Sequence, residues 1–442
     1  MNIVTKHHRK GRALTVALAS AATVLASGTA TLAATLGNQS AAQMLSSKSA
    51  PVGLTLHESQ EIITSAPALQ SSVKAKLPAT SARARAQDLP RRGAAFAMTN
   101  RSGRNEIITY RRAANGELTR VGRVPTRGHG IGVDLDTQGG LRLARGHRFL
   151  YAANAGSDTI SVFSVSGTKL RFLQKVYAGD QPTSVTIHRR LLYVLDSSVA
   201  GNAIRGFKVR EDGTLKPLAG SERLLSSPIA VPGQVEFSPN GKLLVVPQKT
   251  TNVLLQPRNA IDVFRVRRDG LTSALPKREA SHGLRPFSLA FRSNSELLVT
   301  EAFNAAPGAS AVSSYRVSST GDLHVISGSV ANHQTDTCWV VITNDDRYAF
   351  VANFGSGTIS SYKFTQTGAV RLLDGKAAFL GITSQPVDLD LAANSQYVYL
   401  LLRGTGGVAA FKVHDDGSLT RRGPVVTGGL PVADGASGLA VY

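Results

Sequence analysis

Cysteine is nearly absent: Cys338 is the single one in 442 residues. Internal disulfides are therefore excluded, and an exported fold has to be held together by its core. Its position far down the chain also excludes a lipidated cysteine following a cleaved leader. Beyond the N-terminus, no apolar run is long enough to cross a membrane. Acidic residues are scarce, 29 against 50 lysines and arginines, which sets the formal charge at +21. Familiar catalytic signatures are missing too. The ten histidines show no HExxH or other metal-ligand spacing, and neither a G-x-S-x-G elbow nor a P-loop occurs. Asp134, Asp136 and Gln138 before Gly139 look like the start of a calcium loop, but Arg145 stands where the bidentate acid belongs. No metal and no cofactor are expected.

What is present begins with a targeting pattern. Lys6, Arg9, Lys10 and Arg12 precede an alanine-rich apolar run from about Ala13 to Ala34, the order of a secretory signal. Ser20, Thr23, Ser27, Gly28 and Thr29 make that run weakly apolar for a membrane span. Residues 1–34 are expected to be removed, with the product secreted or periplasmic. Loss of those four cations takes the charge from +21 to +17. Such a balance favours anionic partners: a small anionic substrate or an anionic cell-envelope polymer. Nucleic acid is not expected, because export removes that target and no basic-aromatic motif appears. HRKGR (8–12) belongs to the leader. Residues 35–92, rich in Ser, Ala, Pro and Lys, lack a period and read as a weakly ordered spacer.

From Gly93 onward the chain repeats itself. An apolar-x-x-aromatic segment recurs seven times, centred on Tyr110, Phe163, Phe207, Phe264, Tyr315, Tyr362 and Phe411. A turn glycine follows each, six residues on in every copy but the second. The mean period is about 50 residues, room for four short strands. The alternation in ISVFSV suits a strand, and the N-G, D-G or T-G after such segments suits a hairpin turn. Ahead lie a second strand (FLYAAN, 149–154; YAFVAN, 348–353) and an inner one (SVTI, 184–187; VEFS, 235–238; LDLA, 389–392). The first unit starts at GAAFAMTN without an inner strand, while the chain ends on ASGLAVY (436–442) without a blade. The expectation is an all-β, seven-bladed β-propeller over residues 93–442, monomeric, its ring closed by the C-terminal strand.

YAANAGSDTISVF (151–163) and FVANFGSGTISSYKF (350–364) resemble the YVTN-type repeats of lactonase-family propellers. That group includes propeller-type 6-phosphogluconolactonases and carboxymuconate cyclases. QGGLRLARGHRFLYAANAGSDTISVF, SSYRVSSTGDLHVISGSV and QTDTCWVV are similar to segments of its exported bacterial branch. The resemblance implies Gly-Pro-Arg-His at the entrance to an inner strand and an acid at the end of the next strand. Here the entrance reads Arg285, Pro286, Phe287, Ser288, so the arginine is displaced and the histidine replaced. Glu301 falls close to the acid position, and Pro232-Gly233-Gln234 marks the preceding blade.

Chain geometry places a site at the channel mouth, where outer-to-inner connections and the loops between second and third strands converge. The candidates are Glu301 and Arg285 as catalytic residues, with His129, Gln138, Gln234, Lys249, Phe287, Trp339 and Asp388 binding substrate. Each has a plainer reading: Trp339 as packing, the recurring glutamines as partners of loop backbone, Glu301 with Arg285 as an ion pair. Two functions stay open at this point. One is a lactonase-like hydrolase of a small anionic lactone; the other is a non-catalytic propeller holding an anionic glycan or protein of the envelope.

Overall fold

The computed structural model describes residues 92–442, apart from positions 145, 200, 228, 250–258 and 433. Residues 1–91, which hold the expected leader and all but the last residue of the expected spacer, lie outside the described residues. Seven antiparallel sheets follow one another along the chain. In the second blade the inner strand is Leu141–Leu143, followed outward by Phe149–Asn154, Thr159–Ser166 and Lys169–Tyr177. The other blades repeat that order, and in blades three and seven the outer strand is broken into two pieces. This is a seven-bladed β-propeller, as the repeat predicts. Among the described residues no helix is long and apolar enough to cross a membrane.

The seven repeated aromatics all lie on third strands and are buried, from Tyr110 at 0% to Phe411 at 3% exposure. Each fills the space between neighbouring blades, where aromatic area supplies most of the packing. The turn glycine has two reasons to be there. Gly213 has φ +84°, and a Cβ on it would sit 2.2 Å from the Phe149 ring of the preceding blade. Its carbonyl accepts a hydrogen bond from Tyr151 Oη at 3.0 Å. The same link joins Tyr193 to Gly270 and Tyr399 to Gly116. The repeat therefore staples one blade to the next.

The ring closes as expected. Leu439–Val441 pairs with the first blade's Gly93–Met98, placing Val441 opposite Ala95 and Leu439 opposite Ala97. The fully buried Arg112 donates from Nε to the carbonyl of Tyr442 at 2.8 Å. Inner strands leave one backbone edge facing the channel, and side chains of neighbouring inner strands satisfy it. Gln234 accepts from Leu289 N at 2.9 Å, and Asp390 from Val441 N at 2.8 Å. An unpaired buried N–H would cost about 1–3 kcal/mol, so polar residues recur on these strands for structural reasons first.

Candidate active site

The channel mouth at the inner-strand entrances is closed by the chain itself. Residues 134–139, leading into the second blade, lie across it and are held by four other blades. Lys249 Nζ donates to the Asp136 carboxylate at 2.8 Å and also to the Asp136 carbonyl. Arg285 stands 3.6 Å from the same carboxylate. Trp339 Nε1 donates to the Thr137 carbonyl at 3.1 Å. The Gln138 side chain clasps the backbone of Val340, accepting from its N–H at 3.0 Å and donating to its carbonyl at 2.9 Å. Arg403 forms an ion pair with Asp134. Beneath these polar contacts the Phe287 and Trp339 rings pack at 4.9 Å, with the Lys249 ammonium 4.2 Å from the Phe287 centroid. Lys249 retains only 1% of its side-chain surface and Trp339 1%.

Below this plug the channel holds a cavity of about 310 Å³. Its lining runs from Gln138, Gln234 and Asp388 at the strand entrances to Pro239, Phe291 and Ile342 at the far ends, so it is reached from the opposite face. Four charged side chains enter it. Arg142 pairs with Glu236 and donates from Nε to the Val185 carbonyl at 3.2 Å. Glu236 also accepts from Thr186 Oγ1 at 2.8 Å and lies 3.3 Å from Gln234 Nε2. Asp388 and Asp390 lie two residues apart on the strand Pro386–Leu391, whose register shifts between Val387 and Leu389, and both line the cavity. Asp388 accepts from Gly438 N and from Ser437 Oγ at 3.2 Å.

The ring interior is a poor solvent for charge. Burial pushes the Asp388 carboxyl up to about 7, against the pull of the hydrogen bonds from Gly438, Gly139 and Ser437. Burial likewise raises Asp390 to about 6, offset by hydrogen bonds from Val441 and Leu391 and by Arg142. The Arg142 guanidinium is pushed below its ordinary value by burial, opposed by Asp390 and Asp388. A third of its side-chain surface is open, but that surface faces the enclosed channel, which is why burial governs it. Two carboxyls titrating near neutrality beside a guanidinium can take, give and stabilise charge.

The family model of the lactonase seven-bladed β-propeller matches residues 104–232 and 299–381. Over those two stretches, a little under half of the chain, the sequence is similar to lactonase-type seven-bladed β-propellers. Similar solved structures share the fold at low identity. A protein from Lactobacillus plantarum is 17% identical with a TM-score of 0.61, over 79% of this chain and 98% of its own. One from Bacteroides uniformis, named as a candidate 6-phosphogluconolactonase, gives the same identity and TM-score over 78% and 98%. The periplasmic gluconolactonase of Pseudomonas aeruginosa is 16% identical, with a TM-score of 0.58 over 79% and 98%. Nothing among curated proteins matches the chain significantly. Arg142 lies within the matched stretches; Glu236, Asp388 and Asp390 lie outside them.

On this propeller the sequence candidates fall into three groups. Gln138, Lys249, Arg285, Phe287 and Trp339 converge, but on the plug, where each is occupied by the protein's own chain. Gln138, at the plug's lower edge, also lines the cavity with Gln234 and Asp388. Glu301 and His129 stand apart from both. Glu301 and Arg285 therefore do not face one pocket. The Glu301 carboxylate is fully buried and accepts from Gly283 N at 2.8 Å, Ser313 Oγ at 2.5 Å and Ser329 Oγ at 2.7 Å, within its own blade. Burial raises its pKa, with those three donors pulling the other way. His129 is exposed on the link between the first two blades, its ring bonded to the Ser102 carbonyl at 2.9 Å. Arg285 and Lys249, the two candidate cations for holding an anionic substrate, both already serve Asp136.

Arg142, Glu236 and Asp390 escaped the sequence reading. Their signal is a charged residue inside apolar inner-strand alternation, in LRL, VEF and VDLDL. At those points a side chain can point only into the channel or into a blade interface. Among the described residues, no group of three histidine, cysteine or carboxylate side chains is placed to hold a metal ion.

Proposed function

We propose that this propeller hydrolyses a small, uncharged, polyhydroxylated lactone in the channel cavity. The observation that carries the reading is the pair Asp388 and Asp390, with pKa values of about 7 and about 6, beside Arg142 in a solvent-reachable cavity. At neutral pH Asp390 is mostly ionised and Asp388 about half protonated. Both carboxyls line the same cavity, whose volume has room for a lactone carbonyl and a water beside them. Asp390 takes a proton as the water attacks the lactone carbonyl, and the Arg142 guanidinium stabilises the oxyanion that forms. The ring C–O bond then breaks, and Asp388 donates its proton to the leaving oxygen. Water and lactone are consumed and one hydroxy acid is made.

Three carboxyls against one guanidinium repel an anionic substrate, whereas carboxylates and the Gln138 and Gln234 amides suit sugar hydroxyls. The volume lies at the low end for small-ligand pockets. The lactonase-type fold and its similarity to a gluconolactonase support the reaction class without assigning it. Ring opening releases acid, so a pH-stat assay over a panel of sugar lactones measures it. Asp390→Asn sets an amide N–H₂ against the Leu391 or Val441 N–H and so lowers the melting temperature, but turnover per folded molecule is expected to fall by about two to four orders of magnitude, far more than the lost stability explains. Rates for the wild-type chain no higher than the spontaneous background across the panel would sink the reading.

A further inference from the structure

A second cavity, about 900 Å³, lies between the third and fourth blades, formed by the inner-to-second and third-to-outer turns of both. Those turns share the face on which the channel opens. Pro239 lines the channel and the adjoining Asn240 lines this groove, so the two are neighbours. Nine lysines and arginines line the groove against one carboxylate, Asp269, which is already paired with Arg267 at 2.5 Å. Arg189, Lys208, Lys216, Lys242, Arg265 and Arg268 are exposed and make no ion pair with any described carboxylate. Like charges held together without counter-charges raise the local potential and cost folding energy through self-repulsion. Their accumulation here points to an anion that neutralises them.

The size of the groove sets the kind of anion. It is nearly three times the channel cavity and continues into a third one of about 580 Å³ through Arg189 and Arg210, toward the second blade. A single small acid leaves most of that length empty, whereas a chain of repeating charges follows it. Its composition separates polymer classes. None of the described residues lining the groove is Phe, Tyr or Trp, and the cavity it continues into has Phe149 as its single aromatic, so there is no run of platforms on which successive unpaired bases could stack. Leu191, Val209 and Val266 offer an apolar floor, and Asn240 and Ser319 offer polar groups beside it. That mixture suits the CH faces and hydroxyls of sugar rings, and arginine forks suit carboxylates.

We infer that this groove binds an acidic polysaccharide, a sugar chain bearing regularly spaced carboxylates. The inference stands independently of lactone hydrolysis in the channel. The test is titration of the whole chain with a polygalacturonate oligomer, uncharged dextran and single-stranded DNA at low and high salt. Polygalacturonate is expected to bind, at least tenfold more weakly once salt is raised from about 50 to 300 mM, while dextran does not. The combined variant Arg189→Gln, Lys242→Gln, Arg268→Gln is expected to bind at least tenfold more weakly, with melting temperature and any lactone turnover unchanged. Lys216→Gln with Arg265→Gln provides a second variant should the first misfold. Affinity unaffected by either variant removes the groove as the site. DNA binding as tight as polygalacturonate overturns the polysaccharide assignment.

Discussion

Burial of Asp388 and Asp390 gives the fold a pH response of its own. A carboxyl raised in the folded state holds a proton that the unfolded chain has already lost. Asp388 goes from an ordinary 3.8 to about 7, so its contribution is complete below about pH 4 and is lost as pH rises toward 7. Stability of the wild-type domain should therefore fall across that window, with Asp390 contributing up to about 6. Asp388→Asn keeps an acceptor for Gly438 N and removes the ionisation. The variant should show a flatter decline in melting temperature between pH 4 and 7 than the wild type. Parallel curves for the two proteins would place the titration elsewhere.

At the level of the element, the end of the second strand is a position of fixed purpose. Asn154, Asp196, Gln248, Glu301 and Asn353 occupy it in five blades, all at 5% exposure or less. Asn154 donates to Ser161 Oγ at 2.9 Å, Gln248 to Ser226 Oγ at 2.9 Å and Asn353 to Ser360 Oγ at 2.8 Å. Asp196 accepts from Asp180 N at 2.7 Å. Each side chain ties loop or strand backbone and hydroxyls to its own blade, and Glu301 does this with three donors. Glu301→Gln keeps an oxygen for Gly283 N and Ser313 Oγ but sets an amide N–H₂ against Ser329 Oγ, whose hydroxyl must turn from donor to acceptor, and it removes the charge that strengthens all three bonds. The expected loss is about 1–3 kcal/mol of stability, read by denaturant unfolding, with any lactone turnover of the folded chain within twofold of wild type. A collapse of turnover in a stable variant would return Glu301 to the catalytic group.

For the whole molecule, the ring depends on its last strand. Leu439–Val441 supplies the first blade's inner strand, and Ser437, Gly438 and Val441 also satisfy Asp388 and Asp390. Removing residues 436–442 exposes the edge of Gly93–Met98, opens the channel wall and strips partners from two buried carboxyls. Each loss is of the kind that destabilises strongly. The truncated chain should lose cooperative unfolding at 25 °C, as followed by circular dichroism. A truncation melting within a few degrees of the full chain would show that closure contributes little.

The repeat was legible because it is local. Seven aromatics, their turn glycines and the missing first inner strand are written at regular spacing, and hairpin and packing physics act on neighbours in the chain. They determine a propeller of seven blades and its closure. The inner-strand charges Arg142, Glu236 and Asp390 were visible as exceptions to apolar alternation, though only the ring shows that blades two, four and seven point them into one cavity. The plug was not legible. Nothing in DLDTQ tells that it crosses the channel to meet Lys249, Arg285, Trp339 and Arg403, residues over a hundred positions away. Those contacts arise from closing the circle, which brings distant segments to one axis. Loop convergence pointed to the mouth, but only the tertiary structure decided that this mouth is shut and that the channel carboxyls lie below it.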